Sequence, residues 1–160
     1  EGLMEFEAIS PENRALVNAF IAGQWFSTVM IVRGELIDMT AVDGCFVAEG
    51  SAIVALITWL VRDSVCEITS LDSLSEGRGL GSALLGQAVE AARSQRCRKI
   101  VAITTNDNIH AIRFYQKRGF DMARLYHNAL NKSRELKPSI PLIGSEGIPL
   151  MHEIEFELIL

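Results

Sequence analysis

The sequence predicts an α/β (α+β) fold, a mixed and mostly antiparallel central sheet of about six to seven strands with helices on both faces. Three observations lead to this prediction. Short runs such as "EFEAIS" and "EIEFELIL" alternate between apolar and polar residues, which is typical of strands with one covered face. Glu49-Gly50 joins two strand-like runs and favours an antiparallel hairpin. A strand-like run, a helical run and the continuous apolar run "KIVAITT" then follow in that order, which predicts one parallel β–α–β crossover.

The first elements along the chain are a strand, "EFEAIS", and a helix. Ser10 is the expected N-cap of this helix and Pro11 its first residue. Its predicted apolar stripe consists of Leu16, Val17, Phe20 and Ile21. For residues 27–42 the sequence pattern does not distinguish between a strand, a loop and a short helix. The hairpin "GCFVAEGSAIVALITWLV" and the strand "SVCEITSL" follow, and they lead into a glycine-rich stretch.

The second half contains two predicted helices and two further strands after "KIVAITT". Apolar residues recur at helical spacing from Gly79 to about Ser94, at Leu80, Leu84, Leu85, Ala88 and Ala92. "NIHAIRFYQKRG" predicts a second helix, closed by Gly119, and "FDMARLYHNAL" predicts a strand. In "EIEFELIL", alternation puts the apolar residues Ile154, Phe156 and Leu158 on one face and the glutamates Glu153, Glu155 and Glu157 on the other.

The segment 131–152 contains three prolines and a basic cluster, which indicates a long loop outside the common core. The sequence is compatible with either a functional loop or a solvated surface loop in this segment. The basic residues are Lys132, Arg134 and Lys137. All 160 residues are expected to form one domain, and residues 1–3, which precede a methionine, could be a cloning remnant.

Composition excludes several classes of function. The formal net charge of −5 argues against general nucleic-acid binding and is compatible with an amine substrate. No apolar run or basic leader suggests a membrane span or a signal peptide. The widely spaced Cys45, Cys66 and Cys97 suit neither a disulfide framework nor a metal site, and they indicate small buried side chains in a reducing, cytoplasmic compartment. Three scattered histidines likewise predict no metal site.

The stretch "SEGRGLGSALL" places three glycines immediately before a helix. Glycines at a strand-to-helix junction permit positive φ and close approach of a ligand, and the first N–H groups of the helix attract anions. Residues 77–82 are therefore predicted to be a pyrophosphate cradle, with a tight turn and close helix packing as the alternative. A nucleotide-triphosphate loop would require a Gly-Lys-Ser/Thr ending, which this stretch lacks. The dinucleotide fingerprint G-x-G-x-x-G would require a glycine three positions after Gly79, where the chain has Ser82.

At this point the chain resembles the GNAT superfamily of acyl-CoA-dependent N-acetyltransferases over about residues 4–127. The family's motif Q/R-x-x-G-x-G/A falls on Glu76-Gly77-Arg78-Gly79-Leu80-Gly81, where Glu76 replaces the usual Gln or Arg. A carboxylate beside a pyrophosphate is unfavourable unless it turns outward, so backbone amides and Arg78 would have to compensate. The second motif, N-x-x-A-x-x-F-Y-x-K-x-G-F, falls with every spacing kept on Asn108, Ala111, Phe114, Tyr115, Lys117, Gly119 and Phe120.

The resemblance implies a GNAT fold, acetyl-CoA (coenzyme A) as co-substrate and no metal. It implies that the tyrosine at Tyr115 protonates the leaving thiolate and that main-chain groups at Ser70 and Leu71 hold the pantetheine arm. The expected cofactor-binding residues are Ser70, Leu71, Glu76, Gly77, Arg78, Gly79, Leu80, Gly81, Ser82, Asn108 and Ala111. Taken alone, Tyr115 could instead be a core aromatic.

Acidic residues before the cradle are candidates for the general base. Alternation puts Glu67 on the same strand face as Thr69 and Leu71, one of which should border the thioester. Glu67 is therefore the first candidate to accept the proton of a substrate ammonium, although an edge salt bridge is an equally simple role. Asp72 is the second candidate.

The predicted function is N-acetyl transfer from acetyl-CoA to a primary amine of a small molecule or protein, by direct attack in a ternary complex. A non-catalytic acyl-CoA-binding sensor is the alternative, supported by Glu76 alone, and a nucleotide-binding α/β domain ranks below both. Neither nucleic acid nor membrane is expected as a partner. The C-terminal strand could pair across a homodimer.

Overall fold

The computed structural model describes residues 5–75 and 77–160. The helices found there are α1 (Arg14–Trp25), α2 (Leu80–Ser94), α3 (Ile109–Lys117) and α4 (Ala129–Leu136). The strands are β1 (Glu7–Ala8), β2 (Val29–Val32), β3 (Glu35–Asp38), β4 (Asp43–Glu49), β5 (Ala52–Arg62), β6 (Val65–Ser73), β7 (Lys99–Thr105), β8 (Asp121–Tyr126) and β9 (Glu153–Ile159).

Within these ranges, seven strands form one mixed sheet in the order β1-β4-β5-β6-β7-β9-β8, with one parallel pair. The remaining two, β2 and β3, form a separate two-stranded sheet. The predicted fold class is confirmed. β9 lies between β7 and β8, so both of its edges are occupied. The expectation that the C-terminal strand could pair across a dimer is therefore wrong.

Backbone contacts divide the chain into two compact units. The first comprises residues 1–29, 38–100 and 160, and the second comprises residues 30–37 and 101–159. The prediction of a single domain over the whole chain stays a prediction.

The first unit begins with β1 and α1, and the start of α1 differs from the prediction. The helix begins at Arg14, with Asn13 rather than Ser10 as its N-cap. The side chain of Asn13 accepts a hydrogen bond from the Ser10 N–H at 2.8 Å and donates to the Ala8 carbonyl at 2.9 Å. These bonds hold residues 10–13 in a turn, so the Ser10 assignment is wrong. Of the predicted stripe, Val17 and Ile21 are fully buried, whereas Leu16 is 43% exposed.

Helix α2 covers β4, β5 and β6 in the same unit. Its buried side chains are the five predicted ones, Leu80, Leu84, Leu85, Ala88 and Ala92. The buried core of the unit also contains Phe46, Leu56 and Ile57. The hairpin at Glu49-Gly50 and the buried strand "KIVAITT" are also confirmed, as β4–β5 and β7.

The cysteines lie in this first unit and are buried thiols, as predicted. Burial raises the pKa of Cys45 to about 11 and that of Cys66 to about 12. Both side chains are therefore uncharged at neutral pH, and thiolate chemistry is suppressed.

The second unit contains the β2–β3 turn, which resolves the open assignment of residues 27–42. Arg33 and Gly34 form this turn with φ values of 52° and 73°. The Arg33 N–H donates to Glu153 Oε1 at 3.1 Å, and the Arg33 guanidinium lies 3.6 Å from Glu155 Oε1. The glutamate face of β9 is consequently covered, and Glu153 is only 4% exposed.

The segment 131–152 is more ordered than the predicted loop. Its first part belongs to α4, and residues 137–152, here called the strap, follow. The Arg134 guanidinium donates to carbonyl groups of the strap, including that of Pro141 at 2.8 Å and that of Leu150. Asn106, directly after β7, accepts hydrogen bonds from the N–H groups of Met151 and His152 at 2.9 Å each. The strap is therefore held by one side chain from α4 and by another from the residue that follows β7.

Candidate active site

The predicted cradle lies at the start of α2. Gly79 is the N-cap with φ 71°, and Gly77 has φ 77°. Apart from its chain neighbours, a Cβ built on either glycine meets no atom of the described residues within 4 Å. The open space beside these two glycines argues against close helix packing. Their positive φ fits both a tight turn and a cradle, so the cradle stays a prediction.

The N-terminal turn of α2 suits an anion. It contains no acidic residue, and none of the side chains that the structure describes caps it. Its first N–H groups lack intrahelical acceptors, as at every helix start, and the helix dipole places partial positive charge there. Leu80 is buried below this turn, Gly81 is its second residue, and Ser82 is exposed on it.

The charged residues beside the cradle are Arg78 and Glu76. Arg78 forms an ion pair with Glu49, at the end of β4, and both side chains are about half exposed. The guanidinium thus lies next to the cradle but already has an acidic partner. Glu76 lies outside the described residues.

Strand β6 carries Glu67, Ser70 and Leu71, and it contains an irregularity that alternation does not reveal. Its pairing with β5 shifts between Thr58 and Trp59, because Thr58 pairs with Ser70 whereas Trp59 pairs with Ile68. Thr69 is the extra residue of this β-bulge. The Thr58 hydroxyl is 2.7 Å from the Thr69 hydroxyl and 2.6 Å from the Ser70 hydroxyl. Two consecutive side chains therefore lie on one face of the strand.

The bulge changes which residues share a face with Glu67. Glu67 pairs with Leu60 and Asp72 pairs with Leu56, so both fall on the face of Thr58. Leu71 pairs with Ile57 and falls on the opposite face. The expected grouping of Glu67 with Thr69 is correct, but its extension to Leu71 is wrong. Asp72, rather than Leu71, shares a strand face with Glu67.

The two candidate bases differ in their electrostatic surroundings. Glu67 is buried, and its Oε2 lies 3.6 Å from the guanidinium of Arg62. Asp72 is half-buried and accepts a hydrogen bond from the Trp25 indole N–H at 2.9 Å. Burial raises the pKa of the Asp72 carboxyl, and the Trp25 hydrogen bond opposes this shift. The Trp25 contact links residues far apart in the chain, and no sequence pattern predicts it.

Asn108 and Ala111 lie at the start of α3 in the second unit. Asn108 is the N-cap, and its Oδ1 accepts a hydrogen bond from the Ala111 N–H at 3.1 Å. The side chain is exposed. Because the oxygen is engaged, the Nδ2 group is the part of Asn108 that could bond a ligand carbonyl.

Tyr115 is buried in an aromatic cluster of the second unit. Its ring centroid lies 5.2 Å from that of Phe114, 5.3 Å from Phe120 and 5.8 Å from Phe156. Phe114 and Phe120 belong to the same predicted motif. Packing therefore fixes the ring, and the chemical role of the phenol stays a prediction.

The residues just before Asn108 belong to neither of the predicted motifs. Asp107 is buried, and its Oδ2 accepts a hydrogen bond from the Ser145 N–H of the strap at 2.8 Å. Gly144 packs so closely that a Cβ there would lie 2.1 Å from this carboxylate. In the sequence, the polar run "TTNDN" directly after an apolar strand is the feature that points to Asp107.

The predicted site residues therefore fall into two groups. The first unit brings together Glu67, Ser70, Leu71 and the cradle residues 77–82, and the second unit holds Asn108, Ala111 and Tyr115. No cluster of three or more His, Cys, Asp or Glu side chains suited to a metal ion occurs in the described ranges. Among the helices of those ranges, none combines the length and apolar character that crossing a bilayer requires.

Comparison with known proteins decides the family. The model of the Acetyltransferase (GNAT) family matches residues 14–120, which contain both motifs and the bulged strand. The chain belongs to the GNAT acetyltransferase family. The predicted resemblance is confirmed, and with it the assignment to the acyltransferases.

Similar proteins span nearly the whole chain. The GNAT chain is 43% identical over 140 residues to "Uncharacterized protein YxbD" of Bacillus subtilis (strain 168), covering 87% of this chain and 88% of that protein. The structure of an IAA acetyltransferase from Bacillus cereus ATCC 14579 superposes with a TM-score of 0.71 at 21% identity, over 99% of this chain and 100% of the other. A GNAT acetyltransferase from Elizabethkingia anophelis with acetyl-CoA bound gives 0.69 at 16% identity, over 100% of both chains. The two structures support the fold.

Proposed function

We propose that this GNAT protein transfers an acetyl group from acetyl-CoA to a primary amine of a small molecule or protein, by direct attack in a ternary complex. The observation that carries the proposal is the open, glycine-lined start of α2, where a Cβ on Gly77 or Gly79 would meet no described residue other than its chain neighbours. The family membership and the acetyl-CoA bound to a protein of the same fold support the choice of donor.

Residues 77–82 bind the pyrophosphate through backbone N–H groups, and Arg78 adds positive charge beside them. Main-chain groups of Ser70 and Leu71, next to the bulge, bind the pantetheine arm. The Asn108 Nδ2 group donates a hydrogen bond to that arm while its Oδ1 keeps α3 capped through the Ala111 N–H.

Glu67 accepts a proton from the substrate ammonium, directly or through water, which leaves a neutral amine as the nucleophile. The amine nitrogen forms a bond to the thioester carbonyl carbon, and the carbon–sulfur bond breaks. Tyr115 gives its phenol proton to the thiolate and recovers one from the acetylated nitrogen. The products are the amide, coenzyme A and one proton released to solvent.

Calorimetric titration with acetyl-CoA, combined with a free-thiol release assay over a panel of primary amines, tests the proposal. We expect binding, and thiol release that depends on the amine. Binding without turnover for any amine would favour the sensor function instead. Absence of acetyl-CoA binding would contradict the cradle assignment and both functions.

A further inference from the structure

Asp72 carries a charge that its described surroundings do not neutralise. Its Oδ2 accepts the Trp25 indole N–H, and within residues 5–75 and 77–160 neither carboxylate oxygen has a cationic partner within ion-pair distance. Glu67, on the same face of β6, has Arg62 beside it. Taking a carboxylate partly out of water without a counter-ion is unfavourable. The arrangement is therefore suited to a cation that arrives with a ligand.

The neighbourhood of Asp72 is built to hold the carboxylate in one orientation. Trp25 is the last residue of α1, and its indole donates a directional hydrogen bond across to β6. Trp25 is 40% exposed, so aromatic surface accompanies the carboxylate, and the next residue along the chain, Phe26, is 93% exposed. Carboxylate and aromatic groups together are the chemistry that recognises organic ammonium ions.

We propose that the carboxylate of Asp72, oriented by Trp25, binds a positively charged amino group of the acceptor. This inference rests on the proposed function, because it assigns the acceptor side of that same site. The acceptor class is an alkyl or aralkyl ammonium, whose charged nitrogen donates a hydrogen bond to Asp72 and whose apolar part contacts Trp25 and Phe26. Asp72 is thus a specificity-determining residue, and Trp25 is a positioning residue.

The charge of Asp72 is tested by Asp72→Asn, with Asp63→Asn as the matched control. Asp63 is an exposed aspartate in the β5–β6 turn with φ 51°, a conformation that Asn also tolerates. In thiol-release assays with n-butylamine, putrescine, spermidine and Nα-acetyl-lysine amide, we expect Asp72→Asn to raise the acceptor KM by about 10- to 100-fold, the range for a lost hydrogen bond to a charged group. The acetyl-CoA dissociation constant should not change, and Asp63→Asn should match the wild type.

Trp25→Phe tests the positioning role, because it keeps an aromatic ring and removes the N–H donor. We expect a smaller rise in acceptor KM, with the same ranking of amines and unchanged affinity for acetyl-CoA. A variant that weakens acetyl-CoA binding and acceptor binding equally would show a structural role only and would overturn the proposal.

A readout that needs no turnover separates this inference from the proposed function. The chain has two tryptophans, and Trp59 is buried with an indole N–H that no described group accepts. Titration of spermidine into the coenzyme A-loaded protein should shift the ¹⁵N-indole resonance of Trp25, assigned by Trp25→Phe, and leave that of Trp59 in place. A shift that Asp72→Asn abolishes would support the inference even if no acetyl transfer occurred. No shift, or one that Asp72→Asn leaves intact, would overturn it while leaving the proposed function standing.

Discussion

The carboxylate of Asp107 accepts a hydrogen bond from the backbone N–H of Ser145, a residue 38 positions further along the chain. The same carboxylate accepts the Thr105 hydroxyl, and Gly144 packs directly against it. One side chain thus ties the end of β7 to the strap, immediately before the N-cap of α3.

Replacing Asp107 by Ala should therefore destabilise the protein. A buried acceptor is lost, and the Ser145 N–H and the Thr105 hydroxyl lose their partner, which costs about 1–3 kcal/mol. Urea unfolding measures the change. The control is Glu135→Ala, which removes an exposed carboxylate on α4 and should change the free energy of unfolding by less than about 0.5 kcal/mol. Equal stability of the two variants would mean that the Asp107 contacts contribute nothing.

Gly79→Val should weaken acetyl-CoA binding more than folding, because a branched side chain would enter the space beside the cradle. Part of any folding cost comes from φ 71°, about 1–2 kcal/mol for a residue with a Cβ. Gly50→Val separates the two effects, since Gly50 has φ 63°, has open space beside it and lies in the β4–β5 turn. Gly81→Val, inside the helix, tests the cradle without that strain. Calorimetric dissociation constants that match the wild type in folded Gly79→Val and Gly81→Val would exclude the cradle.

Tyr115→Phe should lower the single-turnover rate by about 10²- to 10⁴-fold, the usual contribution of a general acid, with little change in acetyl-CoA affinity. The ring contacts with Phe114, Phe120 and Phe156 are kept. The chain's other tyrosine, Tyr126, donates its phenol hydrogen bond to Glu155, and Tyr126→Phe is the control. If both variants kept wild-type single-turnover rates, Tyr115 would be a core aromatic without a chemical role.

The pH dependence of the free energy of unfolding should show the cost of burying the Asp72 carboxylate. Because burial raises its pKa above 3.8 in the fold, the folded state binds the proton more tightly than the unfolded state. The contribution of Asp72 to stability therefore falls as the pH rises from 3.8 through the raised folded pKa. Asp72→Asn should be at least as stable as the wild type at pH 7, and any gain should vanish below pH 3.8. A large loss of stability at pH 7 in thermal unfolding would contradict this account.

The cysteines should resist alkylation in the native state. All three are buried, and burial raises the pKa of Cys45 and Cys66 well above neutrality. At pH 8, N-ethylmaleimide should therefore modify them only as fast as the protein opens, and urea should make all three reactive within the mixing time. Mass spectrometry counts the adducts. Rapid native labelling would mean that these thiols are accessible.

The sequence predicted most where local pattern and packing agree. The five apolar positions of α2 are its five buried residues, because helical spacing alone fixes one face. The face of Leu71 was mispredicted because a bulge at Thr69 interrupts alternation, and a bulge depends on pairing with β5 rather than on composition. The strap was predicted as a loop because its order comes from Arg134, Asn106 and Asp107, which lie outside it.

The place of β9 in the sheet has a consequence for how the protein is made. β7 and β8 come earlier in the chain, yet each pairs with β9. The strand edges that will pair with β9 therefore stay uncovered until residues 153–159 have been synthesised. The bond between Arg33 and Glu153 spans 120 residues and adds a further non-local requirement. Such pairings slow folding, and uncovered strand edges are templates for aggregation. We therefore expect protection by chaperones during synthesis, or slow growth at low temperature, to increase the soluble yield, and truncation before residue 153 to yield insoluble protein.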